Sequence, residues 1–190
     1  MAVVQLANQA DVIEQLGGRG LTPEEEARLG PILDKLSELF RLHAGQTFTA
    51  GTAKVRRKVD GGLVFLPQRP VTAVESVTDD AGYPVAFARD GQWLDVGLAS
   101  HRFVRVTYSH GGDVPDLVRL TIADAARQIL SIDPKAVAGV TQGSETGGAE
   151  SISNTYATWA VGGATRLSPE DIAIARTYRT RAPRVTVMRP

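Results

Sequence analysis

Apolar positions recur at helical spacing early in the chain, alternate through its middle, and return to helical spacing around position 120. Thr22-Pro23-Glu24-Glu25 opens the first strong segment: Thr22 can cap, Pro23 suits a first turn where its missing N–H is unpaired anyway, and Glu25 completes a capping box. Ile32, Leu33, Leu36, Leu39 and Phe40 then form one apolar stripe, with Asp34, Lys35 and Glu38 on the other side. This spacing predicts an amphipathic helix ending near Gly45. Gly30-Pro31 falls inside it, and a proline there removes a hydrogen bond, which predicts a kink or a division. Upstream, residues 10–16 predict a short helix closed by Gly17-Gly18-Arg19-Gly20.

From Thr52 to Ser109 short β-branched runs are separated by Asp60-Gly61-Gly62, Asp79-Asp80-Ala81-Gly82 and Arg89-Asp90-Gly91, all of them turn chemistry. Antiparallel hairpins are expected. In the run 70–77, strict alternation puts Val71, Ala73, Glu75 and Val77 on one face and Thr72, Val74 and Ser76 on the other, so neither face is cleanly apolar and burial is expected to be partial. In the run 102–108, Phe103, Arg105 and Thr107 oppose Val104, Val106 and Tyr108, which predicts one core face. Pro115 to Leu130 reads as a core helix through Val118, Ile122, Ala125, Ala126 and Ile129, stopped by Asp133-Pro134. Residues 139–163 follow, rich in Gly, Ser and Thr and without a clear period; a span this long is either functional or disordered. Ser168-Pro169-Glu170-Asp171 repeats the cap chemistry of Thr22-Pro23 and starts a last helix with Ile172, Ala175 and Tyr178. No internal repeat is present.

Composition narrows the class. The chain of 190 residues is long enough for one domain with a core, or one domain with an insertion. Hydrophobic content of 43% and charged content of 22% are those of a folded globular protein. Lys+Arg and Asp+Glu are balanced at 21 each, so no overall field draws the molecule onto nucleic acid or anionic membrane. The absence of cysteine excludes a disulfide framework and a thiolate metal site, and fits a reducing cytosol. The N-terminus lacks a basic leader and no window approaches the roughly 20 apolar residues of a membrane span, so neither signal-directed export nor membrane anchoring is expected.

Catalytic chemistry is sparse. His43, His101 and His110 lie at a predicted helix end, a strand start and a strand exit, with no metal-ligand spacing, and no metal or cofactor is expected. Glu24, Glu25 and Glu26 lie in a helix's first turn, where negative charge meets the dipole favourably. Two basic clusters remain. Arg56, Arg57 and Lys58 sit on a predicted strand, Arg56 and Lys58 on one face and Arg57 on the other; they are candidates for contact with DNA or an acidic partner, against the commoner reading of a solvated strand protected from edge pairing. After Asp171 the chain carries Arg176, Arg179, Arg181, Arg184 and Arg189 and no acid. Such an end suggests a docking arm, in which Val185, Thr186 and Val187 could add to another protein's sheet edge while the arginines pair with carboxylates. The commoner reading is a frayed tail.

Read in order, these pieces resemble one family. A capped N-terminal helix precedes Leu66, Pro67, Arg69, Pro70, Val71, Val74, Ser76 and Val77; then come Val106, Thr107, Tyr108 and Gly111, then Pro115 and Leu117 opening a helix, and finally Leu167, Ser168, Tyr178 and Arg179. This order, covering nearly the whole chain, is similar to that of the head-to-tail adaptor (connector) proteins of long-tailed bacteriophages. The resemblance implies a non-enzymatic virion protein of the phage neck, made in the host cytoplasm. It would assemble as a homo-oligomeric, dodecameric ring between the portal protein and a downstream head-closure or tail protein. Its channel would touch the packaged double-stranded DNA only transiently and non-specifically, with no membrane contact. The C-terminal arm of such proteins tends to grip the portal, which makes Arg176, Arg179, Arg181, Arg184, Val185, Val187 and Arg189 the docking candidates. Tyr156 and Trp159, in the unmatched glycine-rich span, are candidate contacts to a neighbouring subunit. Two alternatives stand beside this reading: another neck or tail component, such as a head-closure or tail-completion protein, and an enzyme that would need Asp95, His101 and His110 to converge. The expected fold is α+β, a single adaptor domain over 1–190. It is a small helical bundle of helices at about 23–44, 115–131 and 169–180 with an inserted antiparallel β-hairpin region at about 52–109, a flexible loop at 139–163 and an extended arm at 181–190.

Overall fold

The computed structural model describes residues 4–132, 142–147, 150–155 and 165–180. In chain order these form α1 (Gln9–Gln15), α2 (Pro23–Ala44), β1 (Gly51–Lys58), β2 (Leu63–Phe65), β3 (Val71–Asp79), β4 (Ala88–Asp90), β5 (Trp93–Asp95), β6 (Phe103–His110), α3 (Asp116–Leu130), β7 (Gln142–Gly147), β8 (Glu150–Thr155) and α4 (Pro169–Thr177). Backbone proximity divides them into two compact units, one from Met1–Phe40 and Asp116–Ile174, the other from Arg41–Pro115 and Ala175–Pro190. Of the span 139–163, residues 142–147 and 150–155 form β7 and β8 and the rest lies outside the described residues, as does the whole arm 181–190.

The first unit is mainly helical, and reciprocal capping starts three of its helices. Asn8 and Asp11 form the box of α1. Thr22 N–H donates to Glu25 at 2.8 Å while Glu25 N–H donates to Thr22 Oγ1 at 3.3 Å. Ser168 and Asp171 exchange the same pair of bonds at α4. Each box satisfies two of the donors that a helix N-terminus leaves orphaned. The helix α2 runs unbroken through Pro31. The carbonyl that this proline strands belongs to the exposed Ala27, where water can satisfy it, so the helix is not divided. Leu29, Ile32, Leu33, Leu36 and Phe40 are buried, as are Val118, Ile122, Ala125, Ala126 and Ile129 of α3. Arg119 of α3 pairs with the buried Asp11 of α1 and with its own Asp116 at 3.0 Å.

The expectation of a small helical bundle with an inserted hairpin region is overturned. The chain is a mixed α+β fold with four helices and two three-stranded antiparallel sheets among the described residues, plus the β7–β8 pair. A bundle needs helices packed side by side along their length. Here α1 and α3 are the one pair of helices with extensive backbone proximity among the described residues, and α1 spans only 7 residues. The strands, in turn, build a core of their own.

That core lies between sheet β1-β6-β3 and sheet β2-β5-β4. Val59, Val64, Leu66, Val77, Leu94, Val96, Val104, Val106 and Tyr108 form it, and each fully buried apolar side chain contributes about 1.5–3 kcal/mol. Within the first sheet the pairing is not between neighbours in sequence: β6 is central, with β1 and β3 antiparallel on either side. Only β4 and β5 form a tight hairpin among these six strands, turning at Gly91-Gln92. The strand β6 buries Val104, Val106, Tyr108 and His110 on one face, as its alternation predicts. The strand β3 departs from alternation. Register shifts between Val71 and Ala73 and between Val74 and Ser76 lengthen the repeat, so that Val71, Val74 and Val77 pair with His110, Tyr108 and Val106 in turn. All three valines therefore reach the core side, although a period of two would have put Val74 on the opposite face.

Candidate functional site

Some of the residues that carried the resemblance, Pro67, Arg69 and Tyr178 among them, meet at one place in the β unit, where the C-terminal segment starts. The helix α2 ends at Gly45, whose φ of 63° turns the chain and whose N–H donates to Arg41 O at 2.8 Å. Gln46 follows and is 3% exposed. Its amide donates to Pro67 O at 2.7 Å and to Thr180 Oγ1 at 3.2 Å, while its own carbonyl accepts Arg69 N–H at 3.0 Å. Thr180 Oγ1 also donates to Pro67 O at 3.0 Å. Arg69 reaches back to Tyr178 O at 3.0 Å, and the ring of Tyr178 meets Phe48 edge-on with centroids 5.2 Å apart. Phe48 holds a φ of 64°, a left-handed conformation that costs a bulky residue about 1–3 kcal/mol and persists only where its surroundings enforce it.

Below this junction the strand ends are locked together. Tyr108 is wholly buried and its hydroxyl accepts Gln68 N–H at 3.2 Å. Burial pushes its phenol pKa up, the bond from Gln68 and the charge of Arg57 opposing. Gly111 donates its N–H to Pro70 O at 2.9 Å, with φ 79°. A Cβ at this position would lie 2.1 Å from Thr49 O, so glycine is the only residue that lets the two segments approach this closely. His110, 6% exposed, has Nδ1 3.4 Å from Thr47 Oγ1 and its ring beside Tyr108, and burial lowers its pKa.

Arg176 and Arg179 are exposed, in the last turn of α4 and just beyond it. Arg181, Arg184, Val185, Val187 and Arg189 lie outside the described residues, as do Tyr156 and Trp159. Arg56 and Lys58 share the exposed face of β1, and Arg57 points the other way. Arg56 is committed: it grips Asp80 through two bonds of 2.9 and 2.6 Å and lies 3.9 Å over the Phe103 ring. Its cross-strand partner is Arg105, a like charge that Asp80 also neutralises from 3.9 Å. The Arg56 bond in turn holds the Asp80 carboxyl below its ordinary range. Within this cluster it is Arg56 that is engaged in the fold. Arg57 buries its Nε without a hydrogen-bond partner among the described residues.

The three residues an enzyme would need are spread out. His101 lies two residues before β6 and His110 is the last residue of that strand, whose length holds them about 25 Å apart. Asp95 accepts Gly97 N–H at 3.1 Å in the other sheet. No cluster of His, Asp or Glu suited to a metal ion occurs among the described residues. No described helix is long and apolar enough to cross a membrane. Sequence reasoning missed Gln46, Thr180 and Arg69 as a unit. Single polar residues in loops carry no periodicity, and 134 positions separate Gln46 from Thr180. No protein-family model matches the chain, and no curated protein matches it.

Proposed function

We propose that this protein is a connector subunit of a phage neck, a ring-forming structural protein that joins the portal to the tail and holds the portal through its C-terminal arm. The observation that carries this reading is the anchored root of the arm. Gln46, Pro67, Arg69 and Phe48 fix residues 178–180 to the β unit, so the acid-free segment that follows starts from a defined point. A tail that merely frays needs no such buried tether. A rigid starting point also lowers the entropy lost when the segment docks.

Two further features support the reading. The chain is electrically balanced, and a channel wall that neutralised many phosphates would bind the moving genome too tightly. Exposed apolar side chains such as Leu42, Leu117 and Leu120 offer surface for neighbouring chains to cover. The test is co-sedimentation with purified portal rings. The full chain is expected to bind them, and deletion of 181–190 to abolish binding while the circular dichroism of the helices is unchanged. Undiminished binding after the deletion removes the arm assignment.

A further inference from the structure

A cleft of about 560 Å³ opens in the β unit beside the arm root, walled by Phe48, Pro70, Val71 and Tyr178 and flanked by the guanidinium groups of Arg69 and Arg89. Both arginines are held in place by backbone. Arg69 donates one nitrogen to Tyr178 O, and Arg89 donates one to Val71 O at 2.9 Å and Thr72 O at 3.2 Å. Neither has a carboxylate partner among the described residues, and no acidic side chain lines the cleft. Two cations fixed at the rim of an apolar cleft are arranged to receive an aromatic ring, which guanidinium groups favour at its face, with acidic groups beside it.

The same unit presents such a group at the other end of β3. Val71 starts this strand at the cleft and Asp79 ends it, about 25 Å away for 9 residues. There Asp79 closes a tight turn: its carboxylate accepts Tyr83 N–H at 2.8 Å and its backbone carbonyl accepts Gly82 N–H at 3.1 Å. The turn is hydrogen-bonded at both ends, yet it leaves Tyr83 71% exposed, more than any other aromatic side chain among the described residues. Asp79 flanks it, and Asp80, next in the turn, is shared with Arg56 and Arg105.

We propose that the Tyr83 turn of one copy of this chain inserts into the Arg69–Arg89 cleft of the next. Donor and receptor are different surfaces at opposite ends of one sheet, so the contact is head-to-tail and repeats from subunit to subunit, closing into a ring where the rotation allows. The inference rests on the ring-forming reading above and deepens it by naming the two surfaces that meet.

The test uses the full chain with p-benzoylphenylalanine in place of Tyr83, mixed with isotope-labelled wild-type chain, irradiated and mapped by mass spectrometry. Crosslinks from the substituted chain to labelled peptides containing residues 46–48, 69–71 or 89–92 are the expected result. Absence of intermolecular crosslinks, or crosslinks confined to other surfaces, overturns the contact. In parallel, Tyr83→Ser and Arg89→Glu are each expected to weaken self-association at least about thirtyfold, as removal of a buried anchor does. Neither residue belongs to the core. If both variants assemble with portal rings as wild type does, the contact is wrong while the connector reading stands. If wild type binds no portal but the crosslinks appear at the cleft, the connector reading fails and the contact stands.

Discussion

Gln46 donates to Thr180 at 3.2 Å across 134 positions of sequence, tying the end of α2 to the last described residue before the arginine-rich segment. The amide is buried and fully used, with Pro67 O and Arg69 N–H as its other partners. Replacing it by alanine leaves Arg69 N–H without a protein partner and Pro67 O with its bond from Thr180 alone. Gln46→Ala is expected to cost about 1–3 kcal/mol in urea unfolding, and to raise the hydrogen-exchange rate of residues 178–180 more than that of α3. Equal acceleration throughout the chain contradicts a local tether.

Gly111 tests the close approach of its backbone to Thr49. With φ 79° and Thr49 O in the place of any Cβ, Gly111→Ala must move one backbone away from the other. A loss of more than about 2 kcal/mol is expected, against about 0.5 kcal/mol or less for alanine at an exposed, unstrained surface site. Denaturant midpoints of the two variants settle the comparison.

Glu25 reports the start of α2. The bidentate Arg19 bond first, then the Thr22 N–H, hold its carboxyl at about 2, below the ordinary 4.5. A depressed carboxylate pKa stabilises the fold above the unfolded value and loses that contribution as pH falls from 4.5 towards 2. In Arg19→Ala, NMR titration is expected to find Glu25 closer to 4.5. An unmoved value shows that Arg19 is not the cause.

His110 acts in a different window. Burial lowers its pKa from 6.5, and its described neighbours, Thr47 and Tyr108, offer no negative charge to offset this. The unfolded chain therefore takes up a proton that the folded chain resists. Stability contributed by neutral His110 is complete above pH 6.5 and lost as pH falls below it. Between pH 7 and pH 5 the unfolding midpoint of wild type is expected to fall more steeply than that of His110→Gln. Parallel slopes contradict the assignment.

Local chemistry was legible where one short segment decides the outcome. The boxes at Thr22–Glu25 and Ser168–Asp171, and the alternation of Val104, Val106 and Tyr108, follow from spacing alone. Pairing was less so. Turn residues at 60–62 and 79–82 suggest hairpins between neighbours, but β6 takes the central place, with β1 hydrogen-bonded along one edge and β3 along the other. The burial of Val74 beside Val71 and Val77 depends on two bulges that a strict period of two conceals. The bundle was misjudged because helical spacing identifies helices without saying which of them pack together. The arm root was hidden for the same kind of reason. Leu66, Pro67, Arg69, Pro70, Tyr108, Gly111 and Tyr178 stand out in the order of the sequence, whereas the Gln46 amide that ties Pro67 and Arg69 to Thr180 makes no pattern at all.

Electron microscopy of the full chain mixed with purified portal rings tests the central claim most directly. A connector subunit is expected to add a second ring coaxial with the portal, with density from each subunit's C-terminal segment continuing into the portal wall. Portal rings left bare at saturating protein, under conditions where the chain itself is folded, contradict it.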